Sequence, residues 1–367
     1  MKILIIGFTK IKFMPYLNFY YENLDKKQNE VHILYWNRDL EYENLDKYSD
    51  AVFHEFKCFQ KDDVGKICKV SGFLKYRKYA KSIIYRKKFD FIIVLHTLPG
   101  VLIKSLLIKQ YAKRYILDYR DSTFENIGAF KRIVEALVKQ SKYTFVSSDG
   151  FRQYLPESEN DRIITSHNIL LDSLKHKEDK EKYGNETDVI RISFWGFIRH
   201  KDVNLAIIDR ISKDSRFELH YYGREQDTAL ELKKYAKEIG ASNVFFHGEY
   251  KPEDRYEFIK HTDLIHNIYY DRNTMLAMGN KYYDGIVFRI PQICMPGSYM
   301  GKRATEKGVG IECDPTHIDF CDTIFDYFKK IDFNTFVKSC EQDLHAVLKE
   351  YDTGKELIRE LGIINDN

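Results

Sequence analysis

The stretch VIRISFWGFIRHKDVNLAII, residues 189–208, decides how this chain folds. Ile190, Ile192, Phe194 and Trp195 form a short apolar run that predicts a buried strand, and Gly196 opens a turn behind it. The apolar spacing from Val203 to Ile211 is that of a helix. Strand, glycine turn and helix in this order begin a Rossmann-like unit.

The same rhythm extends in both directions. Toward the C-terminus, strands are predicted at Phe217–Gly223, Val244–Gly248, Asp263–Ile268 and Pro291–Cys294. Toward the N-terminus they are predicted at Lys2–Gly7, Val31–Trp36, Phe91–His96, Tyr115–Tyr119, Tyr143–Ser147 and Ile163–His167. Several runs are apolar on consecutive residues, as parallel strands covered on both faces must be. The expected fold is α/β, with two Rossmann-like doubly wound domains facing a cleft. Leu171 to Thr187 is crowded with charge and reads as an exposed connection. The expected boundaries are residues 1–170, a linker at 171–188, residues 189–332, and closing helices at 333–367 that can cross back to the N-terminal domain.

Composition narrows the function classes. With 367 residues, 58 basic and 55 acidic, the chain is long enough for two cores and too evenly charged to argue for nucleic acid. Its six cysteines include no CxxC pair, which fits a reducing, cytoplasmic setting and gives no zinc site. MKILIIG reads as a first strand, and no segment approaches the roughly 18 apolar residues of a membrane helix.

The glycine loops exclude more. Gly7 is followed by Phe8, Thr9 and Lys10, without the further glycines that let a backbone approach a dinucleotide pyrophosphate. Gly297, Gly301 and Lys302 are too closely spaced for a phosphate loop, and Arg303 stands where a Ser or Thr is needed. Arg199, His200 and Lys201 immediately precede or begin the helical run that follows Gly196. Cations at a helix N-terminus are mildly unfavourable alone and become favourable when an anion joins them. The competing reading, solvated loop charges, is outweighed by their position at a strand's carboxyl end.

At these residues the sequence resembles the retaining glycosyltransferases of family four, which have the GT-B fold. ISFWGFIRHKDVNLAI resembles that family's strand, glycine turn and helix, with Phe197 where many members carry arginine. Asn243–Tyr269 resembles its strand ending in glycine, followed by a helix and an apolar strand. NKYYDGIVFRIPQI, residues 280–293, resembles the donor-site helix that usually carries a spaced pair of glutamates. Asp284 matches the second of these, which in the family holds the nucleotide's ribose. The first falls at Leu276, which cannot play that role, and Arg289 replaces a small residue.

The resemblance implies a glycosyltransferase moving a sugar from a nucleoside-diphosphate donor to a saccharide or lipid-linked acceptor, with retention, as in capsular or exopolysaccharide assembly. The N-terminal domain would bind acceptor and the C-terminal domain nucleotide sugar. Donor-side candidates are Gly196, Gly223, Lys281 and Asp284, with Arg199 and Lys201 stabilising the departing phosphate. A well-placed donor of this kind contributes about 2.7 to 4 kcal/mol to a transition state. Lys281 is a third candidate, for which the reading as a solvated helix residue carries the greater weight. YILDYRDSTFE, residues 115–125, supplies Asp121 as a candidate acceptor-side carboxylate, with Arg120, His96 and Gly7 beside it. Asp121 or Ser122 can instead cap the next helix. No DxD motif ends an apolar strand, so fixed cations are expected in place of a metal, and no cofactor besides the donor.

Residues 66–88 carry nine basic side chains and no acid, with Phe73, Tyr76, Ala80, Ile83 and Ile84 at helical spacing. Such a helix can lie on an anionic membrane at the inner face of the cell, or pack its apolar stripe on the sheet. Two other functions share the expected fold: a nucleotide-sugar epimerase, which needs no acceptor, and a non-catalytic sugar-binding subunit, suggested by Leu276.

Overall fold

The computed structural model describes residues 1–60, 66–177 and 189–362. The chain forms two compact units, Met1–His167 with Lys349–Asn367, and Asn168–Leu348. The last helix, Phe333–Arg359, contains the point at which the chain passes from the second unit to the first.

The first unit is built on seven parallel strands: β1 (Lys2–Ile6), β2 (Glu30–Asn37), β3 (Val52–Lys57), β4 (Phe91–Leu95), β5 (Tyr115–Tyr119), β6 (Tyr143–Val146) and β7 (Ile163–Thr165). Their order is β3-β2-β1-β4-β5-β6-β7. β1 pairs with β2 through Ile3 and Val31, and with β4 through Ile3 and Phe91, so chain direction through the sheet reverses at β1. β4 and β5 are buried at every position, the consequence of helices covering both faces.

The second unit repeats the arrangement with six strands: β8 (Ile190–Trp195), β9 (Phe217–Tyr222), β10 (Val244–Gly248), β11 (Leu264–Asn267), β12 (Gln292–Cys294) and β13 (Gly310–Glu312). The order is β10-β9-β8-β11-β12-β13, all parallel, with the reversal between β8 and β11. Ile192, Phe194, Ile207, Ile211, Leu219 and Leu264 meet in its core.

Two strands escaped the sequence reading. β3 is an edge strand, VFHEFK, whose sparse apolar residues lack a buried run, and β13 is three residues long. The stretch read as an exposed connection also differs in its first part. Leu171–His176 forms a 3-10 turn with Ser173 buried inside the second unit, while residues 178–188 lie outside the described residues.

The basic segment is a helix, Lys66–Lys87, and its apolar stripe turns inward. Tyr76, Ala80, Ile83 and Ile84 are buried, Tyr76 stacks on Trp36, and the Tyr76 hydroxyl donates to the Gly7 carbonyl. An apolar face inserting into lipid is therefore not available from these residues. Their burial contributes about 1.5–3 kcal/mol per large side chain to the fold.

Candidate functional site

The carboxyl ends of β8 and β11 converge at the second sheet's reversal, the position where open α/β sheets bind ligands. Gly196 ends β8 with φ +114, a conformation that side chains avoid, and nothing stands near where its Cβ would be. Gly223, at the end of β9, allows a close approach: a Cβ there would collide with the Gly196 carbonyl oxygen. Backbone bonds from Gly196 to Tyr222 (2.9 Å) and from Gly223 to Gly248 (2.8 Å) fix the two turns against their neighbours.

Helix Lys201–Ile211 starts directly behind the Gly196 turn. Asn204 in its first turn ties the turn down, its side-chain amide donating to the carbonyls of Arg199 (2.8 Å) and His200 (3.0 Å). Its oxygen accepts from Tyr221 (2.8 Å) and faces His266 Nε2 (3.1 Å). Arg199 is exposed, with no hydrogen bond or ion pair to its guanidinium among the described residues. Lys201, expected to grip phosphate, instead pairs with Glu231 at 2.9 Å, both half exposed. Such surface pairs contribute about 0–1 kcal/mol, so little holds Lys201 there.

Lys281 is not the solvated residue that helical sequence context favours. It is the second residue of helix Asn280–Val287 and is 9% exposed. Its Nζ donates to the Trp195 carbonyl at 3.0 Å and lies over the rings of Phe194 (4.1 Å) and Tyr269 (5.1 Å). Burial pushes its pKa down to about 7; Asp284 opposes that shift, and the like charge of Arg199 adds to it.

Asp284, read as the ribose carboxylate, is buried at 3% exposure. Its oxygens receive Trp195 Nε1 (3.0 Å) and Ser173 Oγ (3.5 Å), with Arg255 at 3.8 Å. Arg255 donates to Ser173 Oγ at 2.8 Å. Burial raises the Asp284 carboxyl above the usual carboxylate range, and Arg255, Trp195 and Lys281 pull it back. The sequence reading missed Trp195, Ser173 and Arg255. Arg255 lies in PEDRYEF, whose charge reads as a solvent-facing helix. Leu276 stands in the Asp271–Met278 loop that precedes the helix and contributes no carboxylate.

In the first unit Asp118 lies in β5, with Arg120 and Asp121 directly behind the strand, but the three divide. Arg120 is buried: its Nε donates to Asp118 (2.9 Å), its NH2 to Ser166 Oγ (3.1 Å), and it lies over Tyr16 (4.9 Å). The Arg120–Asp118 pair braces the strand ends. Asp121 is half exposed, 4.0 Å from His96 Nε2. His96 ends β4 with φ +74 and caps helix Thr97–Leu102, its Nδ1 accepting from Leu98 N at 3.4 Å. That bond leaves Nε2 as the proton-bearing nitrogen of the neutral ring. Burial lowers the His96 pKa, against the pull of Asp121. His96 lines a cavity of about 310 Å3 with Phe8, Thr9, Tyr16, Arg38 and Lys69. Gly7 lies beside it, where a Cβ would collide with Met14, another lining residue.

Among the described residues, no group of three His, Cys, Asp or Glu side chains is placed to hold a metal ion. No described helix is long and apolar enough to cross a membrane.

No known protein-family profile matches this sequence, and no curated protein matches it. Solved structures do. Sucrose-phosphate synthase from Thermosynechococcus elongatus is similar with a TM-score of 0.73 at 11% identity, over 98% of this chain and 99% of that one. A glycosyltransferase from Rickettsia africae ESF-5 gives 0.69 at 13% identity, over 100% and 99%. Anabaena HepE, solved in complex with UDP and glucose, gives 0.65 at 12% identity, over 98% of each chain. Likeness at such identities carries the fold: two parallel α/β sheets of seven and six strands, a GT-B-like fold that matches glycosyltransferase structures.

Proposed function

We propose that the chain is a glycosyltransferase whose second unit holds a nucleoside-diphosphate sugar and whose first unit binds a saccharide or lipid-linked acceptor. One observation carries the donor half: a buried lysine, Lys281, at the end of β8, beside the exposed Arg199. A buried cation with an exposed one close by is repelled by it, and a diphosphate relieves the repulsion while taking up their hydrogen bonds. The first amides of helix Lys201–Ile211 point the same way. Lys201 joins them once Glu231 releases it.

Asp284 enters differently from the family pattern. Its carboxylate is already bonded to Trp195 and Ser173, so it shapes the site's floor and reaches a ribose only if Ser173 gives way. In the first unit, Asp121 and His96 are the acceptor-side groups, and retention follows from the family resemblance. Arg199, and Lys281 once the bound diphosphate holds it in its charged form, stabilise charge on the departing diphosphate by standing in place before the bond breaks.

The test is a thermal-shift and calorimetric screen against UDP, GDP, ADP and dTDP, with UDP first because HepE was solved with it. A ligand at a hundredfold excess over its Kd stabilises by about 2.7 kcal/mol, a readily visible shift. Failure of every nucleotide to bind would sink the donor reading. Nucleotide release from a bound donor sugar, on adding acceptor, separates a transferase from a binding subunit.

A further inference from the structure

His200 concentrates two costs at one residue. Its backbone is left-handed, φ 63 and ψ 62, which a non-glycine residue adopts at a penalty. Its ring is also enclosed, with the side chain 9% exposed and Nε2 lacking any hydrogen-bond partner. An unsatisfied buried polar atom has given up its hydrogen bonds to water and regained none. Costs of this kind persist where surrounding structure over-determines them, and they cluster at functional sites.

The surroundings of the ring are specific. Nδ1 stands 3.4 Å from Asp271 Oδ2, and Tyr269 packs edge-on at 5.6 Å. The other oxygen of Asp271 is fixed by the amides of Asn273 (2.8 Å) and Thr274 (2.9 Å), so the carboxylate is held in its orientation. The charged and titratable groups acting on His200 are Asp271 from the loop after β11, Arg199 from its own turn, and Lys281 from helix Asn280–Val287; His266 on β11 is coupled to it as well. His200 is the last residue before helix Lys201–Ile211, so its ring stands at the helix's positive end.

Resting on the diphosphate reading above, we propose that His200, held by Asp271, is a further diphosphate-binding residue that takes up a proton when the anion arrives. Free of ligand, burial and the neighbouring cations keep the ring neutral, with Asp271 opposing them. A phosphate oxygen adds negative charge on the Nε2 side. The ring then becomes imidazolium, with Nε2–H donating to the phosphate, Nδ1–H donating to Asp271, and the extra proton drawn from solvent. No covalent bond changes. Nε2 is enclosed without ligand, so contact requires the turn from Gly196 to Arg199 to shift. The open space at Gly196 and the exposure of Phe197 and Arg199 leave room for those residues to move, while Ile198 in the core and the Asn204 bonds hold the base of the turn.

The experiment is isothermal titration calorimetry at pH 7.0 with inorganic pyrophosphate and with UDP, each in two buffers of different ionisation enthalpy. The buffer difference reads the number of protons taken up. Wild type should take up protons, and His200→Gln and Asp271→Asn should each lose part of that uptake and weaken binding about tenfold. His200→Asn is the second variant, because asparagine tolerates the left-handed backbone, and a thermal melt checks that it folds. A merely structural His200 would leave the proton number unchanged. Unaltered affinity and uptake in both His200 variants, with binding lost in Lys281→Met, would overturn this inference alone. If neither probe binds wild type, the donor reading and this inference fall together.

Discussion

Lys281 Nζ donates to the Trp195 carbonyl oxygen at 3.0 Å, joining the first turn of helix Asn280–Val287 to the end of β8. Trp195 in turn donates through Nε1 to Asp284, one helical turn beyond Lys281. A cation and an anion from one helix thus grip the two ends of one tryptophan, and the strand end is held at the place where the Gly196 turn begins.

Lys281→Met should therefore remove nucleotide binding while leaving the fold. Methionine keeps the contact with Phe194 and Tyr269, and it eliminates the cost of a buried ammonium. The expected outcome is an unchanged or higher melting temperature with at least tenfold weaker nucleotide affinity. Equal affinity in the variant would remove Lys281 from the site.

Asp284→Ala should behave oppositely and destabilise the protein. Without the carboxylate, Trp195 Nε1 and Arg255 are left in a buried space with a missing partner. Breaking a buried charge pair by deleting one member costs about 3–5 kcal/mol. A urea titration showing a loss under about 1 kcal/mol would contradict this account.

Gly223→Ala tests the turn without touching a charge. The added methyl meets the Gly196 carbonyl oxygen, a backbone atom that can move only by shifting the turn. Nucleotide affinity should fall by more than the change in stability accounts for, as calorimetry on the folded variant would show. An alanine variant binding like wild type would mean that the turn does not meet ligand.

Stability should fall in mild acid because of stacked histidines at the edge of the first sheet. His32 Nδ1 lies 2.8 Å from His54 Nε2, the two rings are parallel, and His32 Nε2 faces Glu30 at 2.7 Å. Burial, with His32, Lys87, Arg86 and Lys2 nearby, lowers the His54 pKa to about 4. The folded state thus binds its proton less readily than the unfolded chain, whose histidine titrates near 6.5. The His54 contribution is fully present above about 6.5 and is lost as pH falls toward 4. His54→Gln should flatten the slope of unfolding free energy between pH 7 and 5, and an unchanged slope would refute the assignment.

Helix Lys66–Lys87 offers an anionic membrane mainly charge, since Tyr76, Ala80, Ile83 and Ile84 face inward and only Val70, Leu74 and Tyr85 among its described large apolar side chains are exposed. Lys75, Arg77 and Lys78 point outward, at about 1 kcal/mol each near such a surface. Cosedimentation with anionic liposomes should fall steeply with salt and weaken when these three are neutralised. Binding insensitive to both would exclude the helix.

The two sheets were legible because their central strands are apolar on successive residues, a pattern that two-sided burial imposes on sequence. Edge strands β3 and β13 were not, since an edge needs neither a long run nor full burial. The glycine turn at Gly196 and the cations after it were legible as a pattern. Their partners were not: Glu231 opposite Lys201, Ser166 opposite Arg120 and Asp271 beside His200 are 30, 46 and 71 residues away in sequence.

What the sequence determined by itself was periodicity: where strands and helices alternate, where turns need glycine, and which strand ends collect charge. Those are local properties, set by backbone geometry and the cost of exposing apolar surface. Which lysine is buried and which solvated was settled only by tertiary structure. Lys201 and Lys281 look alike at the starts of their helices. Lys201 finds Glu231 at the surface, whereas Lys281 is covered by Phe194 and Tyr269 and turned onto the end of β8. The charge on an ammonium depends on the water and carboxylates around it, and distant segments of the chain supply or remove both.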